Sequence, residues 1–315
     1  MSALLEVKDL KKYFPIRKGF ALKGFDSAKA LDGISFSLGQ NQTLSIVGES
    51  GCGKTTLAKI ILKLIRPDSG SVIFQGQDIT KISQNKFRPH RRDIQIIFQD
   101  PYSSLDPRFT VRRVLVEAEE AVGQKSKEQD LDKILQTVGL PEDIKNRFSF
   151  EFSGGQCQRI SIARVLIVMP KLLILDEPVS ALDVSLQARI LELLEDLQER
   201  LGISYLFISH NLRIVKKISD IIVVMYLGKI LEIGQAERVY NTPLNPYTQA
   251  LISASADKRV VLKGEIASNI NVPGGCRFHT RCLYAKDICR EKEPPLAETE
   301  KGHFSACHFA RNFLR

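Results

Sequence analysis

Eight consecutive residues, Gly48-Glu49-Ser50-Gly51-Cys52-Gly53-Lys54-Thr55, have the types and spacing to hold a phosphate. They fit the pattern G-x-x-x-x-G-K-[ST], in which glycines let backbone N–H groups turn inward around phosphate oxygens. A helix that follows adds the positive end of its dipole. Lys54 would reach the β- and γ-phosphates and Thr55 would place its hydroxyl on Mg²⁺. Gly48, Ser50, Gly51, Cys52, Gly53 and Thr56 complete that candidate set. The chemistry needs an apolar strand before the turn and a helix after it. Thr43-Leu44-Ser45-Ile46-Val47 and the stretch from Thr55 to Ile65, stopped by Pro67 and Gly70, read that way.

A second constellation follows 120 residues on. Lys171-Leu172-Leu173-Ile174-Leu175 is nearly all apolar, as a strand buried on both faces is, and it delivers Asp176 and Glu177 to its end. Asp176 could hold Mg²⁺ directly or through water, and Glu177 could polarise an attacking water as general base. Ser153-Gly154-Gly155-Gln156 precedes a helix and has capping-box spacing. Its two glycines would also let a phosphate approach the orphan N–H groups of that helix.

Stepping outward, the apolar pattern alternates strands (Ser71 to Phe74, Ile94 to Phe98, Ser204 to Ile208, and a pair over Val223 to Gly234) with helices (Gly154 to Met169, Val184 to Arg200), which predicts an α/β fold with a mostly parallel sheet. Leu4 to Leu38 reads as short antiparallel strands, and 107–151 as a helical insertion with Thr110 capping one helix and Ser126-Lys127-Glu128-Gln129 another. After Gly234 periodicity weakens and Pro becomes frequent, so 236–315 reads as a small appended domain. The 315 residues carry 45 Lys plus Arg against 36 Asp plus Glu, a net charge of +9, with 43% hydrophobic residues. That composition excludes global disorder. The longest apolar run, Ile221 to Leu227, is far short of the roughly 20 residues of a spanning helix. Met1 to Leu10 does not read as a signal peptide, so the chain is expected in the cytosol with reduced thiols.

With these motifs in order, the chain resembles an ATP-binding-cassette ATPase, the motor subunit of ABC transporters. Phe152-Ser153-Gly154-Gly155-Gln156 resembles the family signature with Phe for the usual Leu, Gln99 matches the Q-loop, Ser180-Ala181-Leu182-Asp183 the D-loop, and His210 the switch histidine. Phe14, with Tyr13 beside it, matches the aromatic that stacks on adenine. The resemblance implies a P-loop NTPase fold, a RecA-like core with an antiparallel β subdomain and a helical subdomain over about 107–165, within a cassette over 1–235. It implies two cassettes closing head to tail around ATP, with Lys54, Glu177 and His210 catalytic, Thr55, Gln99 and Asp176 around Mg²⁺, and Ser153, Gly154, Gly155 and Gln156 reaching the partner cassette's nucleotide.

Phe98-Gln99-Asp100-Pro101-Tyr102-Ser103-Ser104-Leu105-Asp106-Pro107 and Pro243-Leu244-Asn245-Pro246-Tyr247-Thr248 narrow the resemblance to importers of oligopeptides, dipeptides and nickel, in which the position of Asn245 is usually His. This implies two transmembrane permease subunits, a second cassette subunit (a different chain favoured over another copy), an extracytoplasmic substrate-binding protein, and a peripheral place on the cytoplasmic membrane face. Four of six Cys, Cys276, Cys282, Cys289 and Cys307, crowd into this tail. Four thiolates can hold a [4Fe–4S] cluster, as some members of the family do here; zinc and free structural thiols are the alternatives. Cys52 sits in the phosphate loop beside Lys54, where amides and the ammonium could lower its pKa, so alkylation is expected to inhibit.

Two other readings compete. Lys86, Arg88, His90, Arg91 and Arg92 form a basic run, but without interleaved aromatics it reads as a solvated face and no nucleic-acid partner is expected. A soluble ABC ATPase of translation or DNA repair would carry two cassettes or a long coiled coil, and an iron–sulfur sensor with little turnover would not need Glu177 and His210.

Overall fold

The computed structural model describes residues 3–17, 25–100, 102, 104–125, 127–255 and 268–310. The chain forms two units, Met1–Lys81 with Phe207–Arg315, and Ile82–Leu206.

In the first unit the opening alternation does become antiparallel pairing. Leu5–Arg17 lies against Phe25–Leu38, with Leu5 opposite Leu38, and on its other edge against Ser69–Phe74. Gln77–Asp78 completes this sheet. The strands are longer than the sequence suggests. Register shifts fall between Val7 and Leu10 and between Lys12 and Tyr13, and Asp9 has φ of 43°. Each irregularity resets which face a side chain takes, so the period-2 pattern breaks before the strand does. Leu5, Val7, Leu10, Leu31, Ile34 and Leu38 are buried.

The phosphate-loop strand, Thr43–Val47, is buried at every residue and runs parallel to Ile221–Tyr226. Ile221–Tyr226 turns at Leu227 and Gly228, both at positive φ as a tight hairpin requires, into Lys229–Gln235. The far edge of Lys229–Gln235 pairs with His303–Ser305, which pairs with Ala297–Glu300. The tail strands therefore extend the sheet of the first unit, and a separate small Cys-rich domain over 236–315 is not shown. Fully buried His303 cements the junction, its Nε2 lying 2.7 Å from Glu232 Oε1. The other bonds to Glu232 come from the N–H groups of Leu244 and Asn245, at 2.8 and 3.0 Å.

In the second unit Ile94–Ile97 runs parallel to Leu172–Asp176. Helices Val111–Ala121, Glu128–Thr137, Gly154–Leu166 and Val184–Leu201 surround them. Thr110 caps the first, accepting the N–H of Arg113. The helix expected to start from a capping box at Ser126 begins at Glu128 after Lys127, which gives no side-chain cap; Ser126 itself, like Pro101 and Ser103, lies outside the described residues. Leu131, Ile134, Leu135 and Val138 share the buried face expected of them. Strand Ser204–Ser209 begins in the second unit and ends in the first.

Candidate functional site

The apolar strand Thr43–Val47 delivers the loop, and the helix Lys54–Ile61 starts directly after Gly53. Two glycines are required by contact as well as by conformation. Gly48 has φ of 156° and a Cβ there would sit 2.2 Å from the carbonyl oxygen of Met225; Gly53 has φ of 113° and its Cβ would meet the carbonyl of Ala30 at 2.2 Å. No acidic residue occupies the first turn of the helix and Gly53 offers no capping side chain, so its N-terminal dipole is left for an anion. Lys54 is buried and folded back, its Nζ donating to the carbonyls of Gly48 at 2.7 Å and Glu49 at 3.1 Å. Backbone carbonyls are weak partners for an ammonium beside a phosphate, so this side chain is held where it can be exchanged onto one. Ser50, Gly51 and Thr55 are exposed, and Thr56 half-buried.

Cys52 corrects the sequence reading. It is buried, 3% exposed, and burial raises its thiol pKa above the ordinary value despite the charge of Lys54. The loop amides do not produce a reactive thiolate here, because desolvation outweighs the neighbouring ammonium.

Phe14, in Leu5–Arg17, is 38% exposed with the ammonium of Lys12 5.4 Å from its ring centroid. Tyr13 is committed elsewhere, donating its hydroxyl to Asp32. Its pKa is pushed up to about 12, first by burial and then by that carboxylate. Of the pair, Phe14 is the more exposed. His210 is exposed, immediately before Asn211, which caps Leu212–Ile218 by accepting the N–H of Arg213.

The remaining motifs belong to the second unit. Asp176 closes the buried strand Leu172–Asp176, and Glu177 has φ of 51°, a left-handed geometry that costs a non-glycine residue of order 1 kcal/mol or more. Both the N–H and the hydroxyl of Ser180 donate to the carbonyl of Glu177, at 3.2 and 3.1 Å. Asp183 caps Val184–Leu201, and the N–H of Leu186 at 3.0 Å holds its carboxyl below the usual range. Ser153 and Gln156 form a true capping box on Gly154–Leu166. Gly155 is buried against Leu186, which a Cβ would approach to 3.1 Å. Gln99 is exposed two residues after Ile94–Ile97.

In the tail, the N–H of Phe309 donates to Cys307 Sγ at 3.4 Å, Cys289 is buried, and Cys276, Cys282 and Cys307 are half-buried. Burial pushes Cys276 and Cys307 up to about 11. Among the described residues no group of three or more His, Cys, Asp or Glu is placed to hold a metal ion. Neither a zinc site nor a [4Fe–4S] cluster is shown.

The tail also contacts the loop, through residues that no sequence motif marks. Tyr247 and Arg281 bond Glu49, and the side-chain amide of Asn269 donates to the carbonyl of Gly51 at 2.6 Å. Arg277 bonds the carbonyl of Leu227 and the carboxylate of Asp32.

Residues 31–180 match the ABC transporter family model, and 231–289 match the oligopeptide/dipeptide transporter C-terminal region. An oligopeptide transport ATP-binding protein from Bacillus subtilis (strain 168) is 47% identical, with 97% of each chain covered. A probable peptide ABC transporter ATP-binding protein from Sinorhizobium fredii is 44% identical over 97% of this chain and 90% of its own. Among solved structures, an ATP-binding cassette of an ABC transporter in its ADP conformation aligns with a TM-score of 0.67 and 29% identity, covering 80% of this chain and 98% of that one. A cassette from Clostridium perfringens, part of the cbiONQ transporter complex, aligns at 0.65 and 28%, covering 82% and 96%. The described helices include none long and apolar enough to cross a membrane. With a phosphate loop of this geometry and relatives matching over nearly its full length, the chain belongs to the ABC transporter ATP-binding proteins, in the oligopeptide transport branch.

Proposed function

We propose that this chain is the ATP-hydrolysing motor subunit of an ABC importer for di- or oligopeptides, and that it drives a separate transmembrane permease. The observation that carries this is the phosphate loop, shaped by Gly48 and Gly53 and closed by Lys54, in a chain whose relatives are peptide transport ATP-binding proteins at 44–47% identity. A glycine-shaped turn that opens onto an uncapped helix N-terminus favours an anionic group.

In this reading Phe14 stacks on adenine, and the N–H groups of Gly51 to Thr56 with Lys54 neutralise the phosphates. Thr55, Asp176 and Gln99 would hold Mg²⁺, which when bound would supply positive charge to the phosphates. Glu177 takes the proton of a water that attacks the γ-phosphorus, as the bond to the β–γ bridging oxygen breaks and ADP leaves. His210 orients that water and holds the γ-phosphate. Ser153, Gly154, Gly155 and Gln156 serve the nucleotide of a second cassette packed head to tail, which we take to be a different subunit. A substrate-binding protein outside the membrane completes the importer, with this chain peripheral on the cytoplasmic face. Residues 1–235 are the cassette and 236–315 its family extension, whose four cysteines hold a [4Fe–4S] cluster. The four cysteines gathered in the tail support that last assignment, and anaerobic purification tests it: a colourless, iron-free product overturns it.

The test of the motor is turnover. Glu177→Gln is expected to bind MgATP and lose hydrolysis by about 10²–10⁴-fold, and the chain is expected to co-purify with membrane permeases. Full turnover in Glu177→Gln overturns the assignment.

A further inference from the structure

The phosphate loop is shaped from outside as well as from within. Glu49 is held on three sides. Its N–H donates to the Tyr247 hydroxyl at 2.9 Å, its carbonyl accepts Lys54 at 3.1 Å, and its carboxylate takes both terminal nitrogens of Arg281, at 2.6 and 3.0 Å. Tyr247 and Arg281 follow Glu49 by 198 and 232 residues. Neither is a surface tether. Tyr247 is fully buried and packs on Tyr226 and Phe278 with ring centroids 4.7 and 5.2 Å apart; the Arg281 side chain is 5% exposed.

Both clamps are themselves anchored. The side-chain carbonyl of Asn245 accepts the N–H of Tyr247 at 3.0 Å. Arg277, four residues before Arg281, ties its segment to Leu227 and Asp32. The Asn269 amide adds a third hold, on Gly51.

A fork-to-fork Arg–carboxylate pair fixes orientation as well as distance. Glu49 has no evident reason to be fixed for its own sake. It matters because its backbone is one of the turns that aim N–H donors into the cradle. A loop that must be ordered by its ligand binds more weakly than one already ordered. We propose that Arg281 and Tyr247 are positioning residues for nucleotide binding, holding Glu49 so that the phosphate loop keeps its shape before the nucleotide arrives. The proposal rests on the reading of 48–55 as the nucleotide loop. It makes the extension part of the ATP site, acting through Glu49.

The experiment measures MgATP dissociation constants by calorimetry, KM and kcat, and the thermal midpoint, on the full chain. The variants are Arg281→Ala, Arg281→Lys, Tyr247→Phe, Glu49→Ala, and Arg281→Ala with Glu49→Ala. Arg281→Ala is expected to weaken MgATP binding about tenfold, with KM rising alongside and kcat within about twofold. Arg281→Lys restores part of the loss. Tyr247→Phe keeps the ring packing and costs about threefold in affinity. The double variant is no weaker than the weaker single, because both act through one contact. Unchanged affinity in a folded Arg281→Ala, a loss confined to kcat, or losses that multiply in the double variant each overturn the proposal. If Arg281→Ala does not fold, Arg281→Lys and Tyr247→Phe decide it. A wild-type chain that binds no MgATP overturns the loop reading itself, which is a different failure.

Discussion

Replacing Asn245 by Ala probes the joint between the tail and the sheet. Asn245 is 3% exposed. Its side-chain carbonyl accepts the N–H of Tyr247, and its amide nitrogen donates to the carbonyls of Leu231 at 3.2 Å and Ala306 at 3.3 Å. The carbonyl of Leu231 also accepts the N–H of Ala306, so it stays satisfied without Asn245. The net loss is then a buried N–H on Tyr247 and one donor to Ala306. A buried group left unpaired costs about 1–3 kcal/mol, so the variant should lose about 2–4 kcal/mol. With a urea slope of about 3 kcal/mol/M, the transition of the first unit moves down by roughly 1 M. The chain has no Trp, so far-UV circular dichroism follows unfolding. Asn245→Asp should be worse than Ala, since it aims a second carboxylate oxygen at two carbonyls beside Glu232. A loss below about 0.5 kcal/mol in the Ala variant, or an Asp variant more stable than Ala, would refute the reasoning.

Two further outcomes follow from the thiol and the phenol. Native protein treated with an alkylating reagent at pH 8 should leave Cys52 unlabelled, and Cys52 should react only on unfolding; mass spectrometry showing stoichiometric Cys52 adduct in folded protein contradicts this. Tyr13 is raised to about 12, so its folded form holds its proton after the unfolded one, at about 10, has lost it. Its contribution is full below pH 10 and is lost as pH rises toward 12. Tyr13→Phe should therefore flatten the alkaline fall in stability over that window, and an unchanged pH profile counts against the Tyr13–Asp32 bond.

Local patterns were readable and distant ones were not. The phosphate loop, Leu172–Asp176 and the capping box at Ser153 declare themselves because each is settled by residues a few positions apart. The opening strands were under-read because their bulges scramble the alternation. His303–Ser305 is three residues long, and 71 residues separate His303 from the Glu232 it contacts, so no window of periodicity could find it. The motif at 48–55 advertised Lys54, while the partners of Glu49 lay far down the chain among Pro and Cys residues that looked like a loose appendix. Cys52 was misjudged because sequence shows its charged neighbour but not its burial.

The reach from Glu49 to Arg281 also sets an order of events in time. At about 5–20 residues per second, a ribosome adds the 232 residues between them over roughly 10–50 s. Throughout that interval the emerging loop lacks its clamp. On the proposal above, the loop gains its preformed shape only after Arg281 has been made, so a chain cut short before it would bind nucleotide more weakly.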